Sequence, residues 1–379
     1  MSQLSQLSDL YVLLNIEGFS QILLTLFIFF QCIFLWSVFK KDFSKVDMAW
    51  ALSPIVLTFC TIYFSDRSLM DRSLKEWLIF SLPILWGFRL FVYLYIRNKK
   101  TGEDFRYGEM RKNWGQNANF HAYGKIFLFQ WCLSLIIFFP VILFLSMPSK
   151  SMNFLDFVGI FFFLFFLVFE TVADYQKFQF KKQNRESGSI CRTGLWANSR
   201  HANYFAEASL WWSFFLFFFD SPLIIVAWLS PFLLNVFLLK FSGVPFLEKG
   251  KEHDGQYQKY KSEVPRLIPI RSKWFWTGLG LILLAGMFYT TLQASFSQNI
   301  LELFRDPTNE VGPWFKATLV DFYLNQFWLW IVLCFFESRR RFQFLWALIM
   351  FFLGSMATSL AVIIYYKKIL SVLIPNRNG

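Results

Sequence analysis

The sequence predicts an all-α fold, a polytopic transmembrane helical bundle of about ten spans. Three observations carry this expectation. Of 379 residues, 56% are hydrophobic and 16% charged, whereas a soluble domain carries about 25% charged residues. Aromatic residues make up 22% of the chain, with 52 Phe, more than one water-soluble core would bury, and mean hydropathy is +0.42. Apolar runs long enough to cross a bilayer, about 20 residues each, recur along the chain, and the loops between them alternate between rich and poor in Lys and Arg.

In order, the runs lie at 17–39, 46–64, 76–96, 124–147, 152–172, 202–219, 221–241, 275–297, 318–336 and 343–366. The first lacks the small-residue cleavage site of a removable leader and is expected to stay in the membrane. Basic loops at 40–45, 97–125, 177–200, 249–273 and 339–341 follow every second run. The positive-inside rule makes them cytoplasmic and puts both termini outside. Segment 65–75, with Arg67, Arg72 and Lys75, and the tail, with Lys367, Lys368 and Arg377, oppose the rule. Topology thus accounts for the net charge of +12, and no nucleic-acid partner is expected. The five cysteines have neither metal-type spacing nor a disulfide framework, so no metal site is expected. No GxGxxG, Walker, GxSxG, HExxH or CxxC pattern is present, which argues against a Rossmann nucleotide site. A boundary near 274 divides a domain with long polar loops, 1–274, from an appended three-span segment, 275–379.

Polar residues gather at a few places. Span five ends in "FETVADYQKFQFKKQ", where Glu170, Asp174, Lys177 and Lys181 follow at spacings of four, three and four and so share a helical face. Snorkelling explains the two lysines as well as a site does; it suits the short carboxylates less. "GLWANSRHANYFAE" follows. Asn203 and Glu207 stack on one face at the start of span six, and Arg192 and Arg200 flank a helix N-terminus suited to a phosphate. In "FLEKGKEHDGQYQKYKSEVPRLIPI", Glu248, His253, Tyr257, Tyr260 and Arg266 read from composition as an interfacial helix. Arg89 lies inside span three, where a lone Arg is costly and needs a buried partner or ligand. Asp47 opens span two and could serve simply as a cap.

The segments "VDMAW", "WGFRLFVYLYIRN…GEDFRY", "ADYQK…GLWANSRHANYFAE" and "LEKGKEHDGQYQKYKSEVPRLIPI" occur in the order seen in steroid 5-alpha-reductase-like membrane proteins. The chain most resembles their bacterial branch, over about residues 40–272. The resemblance implies a helical-bundle core shared with isoprenylcysteine methyltransferases. It further implies NADPH held between cytoplasmic loops and helix ends, and reduction of a carbon–carbon double bond in a lipophilic substrate. Carried over by motif, Asp174, Arg192, Arg200, Asn203, Glu207, His253 and Tyr257 would bind the cofactor. There are departures. Ala202 replaces a proline that many relatives carry. "AWALSP" lacks the glutamate, and Trp86 stands near the place of the tyrosine, with which steroid reductases bind an enone oxygen. A steroid enone substrate is therefore disfavoured, and Asp47, Arg89 and Tyr93 become the candidate polar groups on the substrate side. Two alternatives stay open. One is a methyltransferase using S-adenosylmethionine on a lipid or isoprenylcysteine; the other is a non-catalytic lipid-binding protein. Expected partners are a lipophilic small molecule and membrane lipids, and the expected place is a bacterial inner membrane. Segment 275–379 resembles a small, separate membrane family of unknown function. In it, Asp321, Tyr323 and Asn325 are expected to form a polar contact between helices.

Overall fold

The computed structural model describes residues 16–146, 151–184, 189–218 and 224–241, most of 243–281, and parts of 322–373. The chain forms two compact units, Met1–Leu267 and Ile268–Gly379. Among the described residues all regular structure is helical.

In the first unit the helices are α1 (Phe19–Lys40), α2 (Lys45–Tyr63), α3 (Leu74–Thr101), α4 (Phe105–Trp114), α5 (Ala118–Ala122), α6 (Phe129–Ser146) and α7 (Phe154–Gln183). After them come α8 (Ala202–Phe214), α9 (Ile224–Val236), α10 (Val244–Glu248) and α11 (Gly255–Glu263). The second unit contains α12 (Arg340–Leu353) and α13 (Ser355–Leu373). Six helices among the described residues are long and apolar enough to cross a membrane: Phe19–Lys40, Lys45–Tyr63, Leu74–Lys99, Phe105–Ser146, Phe154–Gln183 and Val226–Glu248. The protein is a polytopic helical membrane protein.

The structure differs from the sequence expectations at one run and one loop. Run 202–219 is a 13-residue helix followed by a four-residue 3-10 turn, Phe215–Phe218. It is buried along most of its length because it packs extensively on α7, so its apolar residues cover protein. Within run 343–366 the described residues are helical, in α12 and α13. The loop expected at 97–125 is helical. Its helices are held by caps and ion pairs, which hydropathy does not register: the Asp104 side chain accepts from Arg106 N at the start of α4. Run 275–297 beyond residue 281, most of 318–336, Asp321 and Tyr323 lie outside the described residues. Asn325 is exposed.

The core of the first unit is aromatic. Trp50, Trp86, Phe138 and Trp211 form one group, with ring centroids 4.8 Å apart for Trp50–Phe138, 4.9 Å for Phe138–Trp211 and 5.2 Å for Trp86–Trp211. On the outside of α7, Phe157, Phe161, Leu164, Phe165, Val168 and Val172 form an exposed apolar stripe. Such a stripe suits lipid and not water. Helices α2 and α3 touch at Gly87, where a Cβ would lie 2.4 Å from the Ala51 carbonyl oxygen. Overpacking typically costs about 1–3 kcal/mol. Gly87→Ala should therefore lower the apparent Tm in detergent by several degrees, about 2–4 °C per kcal/mol for a unit of this size. An unchanged Tm would show that the two helices can separate freely.

Two of the three cations of segment 65–75 are paired with carboxylates within the fold, and the third bonds to a carbonyl. Lys75 Nζ lies 2.7 Å from Asp156 Oδ1, with side chains 7% and 0% exposed. Arg67 pairs with Glu76 at 2.5 Å, and Arg72 donates to the Leu145 carbonyl at 3.0 Å. The positive-inside rule weighs free loop charge, so Arg67 and Lys75 are a poor exception to it.

Candidate functional site

Helix α7 explains the placement of the site. Its inner face presents Glu170, Asp174, Lys177 and Lys181 on successive turns, and α3 and α8 pack against it. Arg89 of α3 reaches across. Its Nη1 donates to Glu170 Oε1 at 2.9 Å, its Nη2 to Asp174 Oδ2 at 2.6 Å, and its Nε to Thr171 Oγ1 at 2.9 Å. Trp86 Nε1, one turn earlier on α3, donates to Glu170 Oε2 at 3.1 Å. Asn203 Nδ2 of α8 donates to Asp174 Oδ1 at 3.2 Å. Glu207, one turn further along α8, is buried, with the Trp50 indole against it and Glu170, Asp174 and Arg89 nearby. Three carboxyls thus surround one guanidinium. Among the described residues no group of three or more His, Cys, Asp or Glu is arranged to hold a metal ion. Tyr93 is half-buried one turn beyond Arg89, its ring 5.8 Å from the guanidinium carbon.

A second network closes the loop side. Glu248 Oε1 accepts from Arg200 Nε at 3.1 Å and from His201 Nε2 at 2.9 Å. Arg200 Nη1 also donates to the carbonyls of Lys261 and Val264, at 2.9 and 2.8 Å. Arg200, 7% exposed, therefore ties the start of α8 to the end of α11. The His201 and Tyr204 rings stack at 5.8 Å with a 9° interplanar angle. Burial lowers the His201 pKa, although contact with Glu248 opposes this. Tyr257 is buried beside the same pair, and burial pushes its pKa up to about 12, so its phenol keeps its proton. Tyr260 OH donates to the Trp196 carbonyl at 2.6 Å. Arg192 lies at the rim, donating to the Gln256 carbonyl at 2.5 Å and lying 3.6 Å from Glu263. His253 is exposed on the turn before α11.

Between the two networks lie lysines. Lys177, Lys181 and Lys251 are close enough to repel one another. Among the described residues no ion pair of 4.0 Å or less engages any of them. Lys177 instead sits 4.4 Å above the Trp196 ring.

Asp47 belongs to a third cluster. It accepts from Tyr107 OH at 2.6 Å and from Arg106 Nη2 at 3.0 Å, and so anchors α4 to the start of α2. Burial opposes ionisation of the neighbouring Asp104, yet Arg106 and Arg97 hold it below the usual carboxylate range. The structure therefore joins Arg89, Asp174, Asn203 and Glu207 in one site, with Tyr93 at its edge. It places Arg200 and Tyr257 in the adjoining network and Asp47 in a separate anchor.

A family profile described as "Protein of unknown function (DUF1295)" matches residues 33–264. The chain belongs to the DUF1295 family. Every residue described in the three clusters falls inside the matched DUF1295 region. A relative from Schizosaccharomyces pombe, "Uncharacterized protein C594.04c", is 27% identical over 207 residues, covering 48% of this chain and 59% of that protein. The chain thus spans about three-fifths of that relative's length. No solved structure matches the chain.

Sequence reasoning missed Trp50, Trp86 and Thr171 as partners of the buried charges, and Glu248 as the hub of the loop network. Trp86 did carry a signal: it lies three residues before Arg89, on the same helical face.

Proposed function

We propose that the DUF1295 core, within residues 1–274, is an NADPH-dependent reductase of a carbon–carbon double bond in a lipophilic steroid, polyprenoid or other lipid. Its cofactor side would face the cytoplasm, in a bacterial inner membrane. The observation that carries this reading is the order of groups along α7. The buried Arg89–Glu170–Asp174 cluster, which holds Asn203 beside Glu207, lies deep, and lysines that form no ion pair among the described residues follow one and two turns later. That order suits a ligand with an amide at one end and phosphates at the other.

The residues fit such a ligand, with roles shifted from those the resemblance implies. Asp174 spends both oxygens on Arg89 and Asn203, so it is a positioning residue. Glu207, and the carbonyl oxygen of Asn203, would accept from a carboxamide. Lys177, Lys181 and Lys251 would hold phosphate, because a bound polyanion relieves their repulsion. Arg200 is scaffold. When bound, NADPH supplies the hydride; the protein orients it and excludes water. S-adenosylmethionine carries no phosphate, so the lysines argue against it, although its sulfonium would suit the surplus of carboxyls.

NADPH is expected to raise the Tm of the detergent-solubilised protein more than S-adenosylmethionine does, by roughly 2.7 kcal/mol of stabilisation at a hundred times Kd. Preferential stabilisation by S-adenosylmethionine would overturn the reductase reading in favour of a methyltransferase. Stabilisation by neither would favour a non-catalytic lipid-binding protein. Glu207→Gln keeps the shape and removes the charge. A charged hydrogen bond contributes about 1.5–3 kcal/mol, so NADPH affinity should fall roughly tenfold or more. Isothermal titration with unchanged Kd would remove Glu207 from the site.

A further inference from the structure

We propose that the cleft between the end of α7 and α11 receives the adenosine end of the nucleotide, and that Arg192 and Lys259 there select a ribose 2′-phosphate over a free 2′-hydroxyl. The proposal deepens the reductase reading by naming the groups that tell NADPH from NADH, and it rests on that reading only for where the nicotinamide half lies.

The cleft has a volume of about 550 Å³, within the range of pockets that enclose small ligands, about 300–1,000 Å³. Phe180 and Ile190 give it apolar walls, Asn184 and Gln256 bring amides, and Arg192 and Lys259 bring charge. No carboxylate is among its lining residues. Each kind of group matches a part of an adenosine nucleotide. The apolar walls suit the base. Asn184 spends its amide nitrogen on the Phe180 carbonyl at 3.1 Å; its oxygen meets no donor among the described residues and is free to accept from an exocyclic amine. In the dinucleotide sites of doubly wound folds, a carboxylate bonds a free 2′-hydroxyl, whereas an arginine accommodates a 2′-phosphate. This cleft holds the cations and lacks the acid.

Position joins the cleft to the lysines. Asn184 follows Lys181 by three residues and Lys177 by seven, which continues the spacing of Glu170, Asp174, Lys177 and Lys181 along one face. Asp174 and Asn184 stand about 15 Å apart along α7, at about 1.5 Å per residue, with the two lysines between them. A dinucleotide laid along the helix therefore meets the carboxyl cluster with its amide, the lysines with its diphosphate and the cleft with its adenosine. Arg192 is held at the rim of the cleft: it donates to the Gln256 carbonyl, stands 3.6 Å from Glu263 and lies 5.3 Å from the Tyr260 ring. A guanidinium has five N–H donors, so these contacts orient it without exhausting it. Lys259 lies one turn beyond Gln256 on α11, between the two residues that Arg192 touches. It is exposed and forms no ion pair of 4.0 Å or less among the described residues. A phosphate between the two cations gains a fixed fork from one and a mobile ammonium from the other.

The test uses full-length protein in detergent and isothermal titration. The probes are 2′,5′-ADP and 5′-AMP, adenosine fragments with and without the 2′-phosphate, followed by NADPH and NADH. The wild type should bind 2′,5′-ADP at least about tenfold tighter than 5′-AMP. Lys259→Gln and Arg192→Gln should each cut that preference about three- to tenfold and together remove it, with 5′-AMP binding unchanged. Lys259→Arg keeps the charge and should keep the preference. Arg192 also ties its loop to α11, so Arg192→Gln is read only where Tm is unchanged; Lys259 has no such tie, and Lys259→Gln decides alone if the other variant fails to fold. Equal binding of the two fragments, a preference undiminished in Lys259→Gln, or no saturable binding of 2′,5′-ADP would each overturn the proposal. The two readings fail separately. NADPH binding no tighter than 2′,5′-ADP, with a preference that depends on Lys259, would sink the reductase reading and leave the cleft standing. NADPH binding tighter than 2′,5′-ADP, with the same affinity in Lys259→Gln, would sink the cleft alone.

Discussion

Lys75→Met is expected to destabilise the protein by about 3–5 kcal/mol, the cost of removing one partner from a buried ion pair. The mechanism is the carboxylate left behind. Asp156 is fully buried and also closes the N-terminus of α7: it accepts from Asn153 N at 2.8 Å, and its own N donates to Asn153 Oδ1 at 3.0 Å. Without Lys75 a charge stays at the start of the helix that carries the site, with only the helix N-terminus to oppose it. The apparent Tm should fall by on the order of 10 °C. Lys75→Met with Asp156→Asn should recover most of that, since the amide still caps and carries no charge. If the double variant is as unstable as the single one, the loss comes from packing of the lysine stem against Phe144, whose ring lies 5.7 Å from Nζ.

The site was legible in the sequence where its logic is local. The spacing of Glu170, Asp174, Lys177 and Lys181 gives a common face from helical geometry alone, as does the pair Asn203–Glu207. What the sequence withheld was pairing. Arg89 meets Glu170 and Asp174 across 81 and 85 residues, and Arg200 meets Glu248 across 48. No periodicity encodes such separations. Hence Arg200 read as a free cation beside a helix N-terminus, whereas folding spends it on Glu248 and two carbonyls. The helices within 97–125 were hidden for a related reason. Arg106 and Tyr107 are held by Asp47, 59 and 60 residues away, and the stripe of Tyr107, Met110, Trp114, Ala118 and Ala122 that packs on the core is too sparse in apolar residues to register as a span. Hydropathy found the long spans well because α1, α3 and α7 carry their own apolar length. At α8 the apolar residues face protein, so its hydropathy reflects packing on α7.

The other large effect is expected at Arg89, and it separates a scaffold from a site. Arg89→Met removes the one guanidinium that joins Glu170 and Asp174, leaving both carboxylates buried with their remaining partners, Trp86 and Asn203. The loss should again be about 3–5 kcal/mol, read as a fall in apparent Tm on the order of 10 °C. Neutralising the acids at the same time, in Arg89→Met with Glu170→Gln and Asp174→Asn, should restore much of the stability. The three groups are in contact and will not behave additively. If the cluster were only a structural clamp, this repaired variant would bind NADPH as the wild type does. The proposed site requires a different result. Asp174 positions Asn203, and an amide in its place can turn its donor rather than its acceptor toward Asn203. Nucleotide affinity should therefore stay at least several-fold below wild type in a protein whose Tm has recovered. Recovery of both Tm and Kd would make Glu170, Asp174 and Arg89 a clamp alone, and would leave Glu207 and the lysines to carry any nucleotide site.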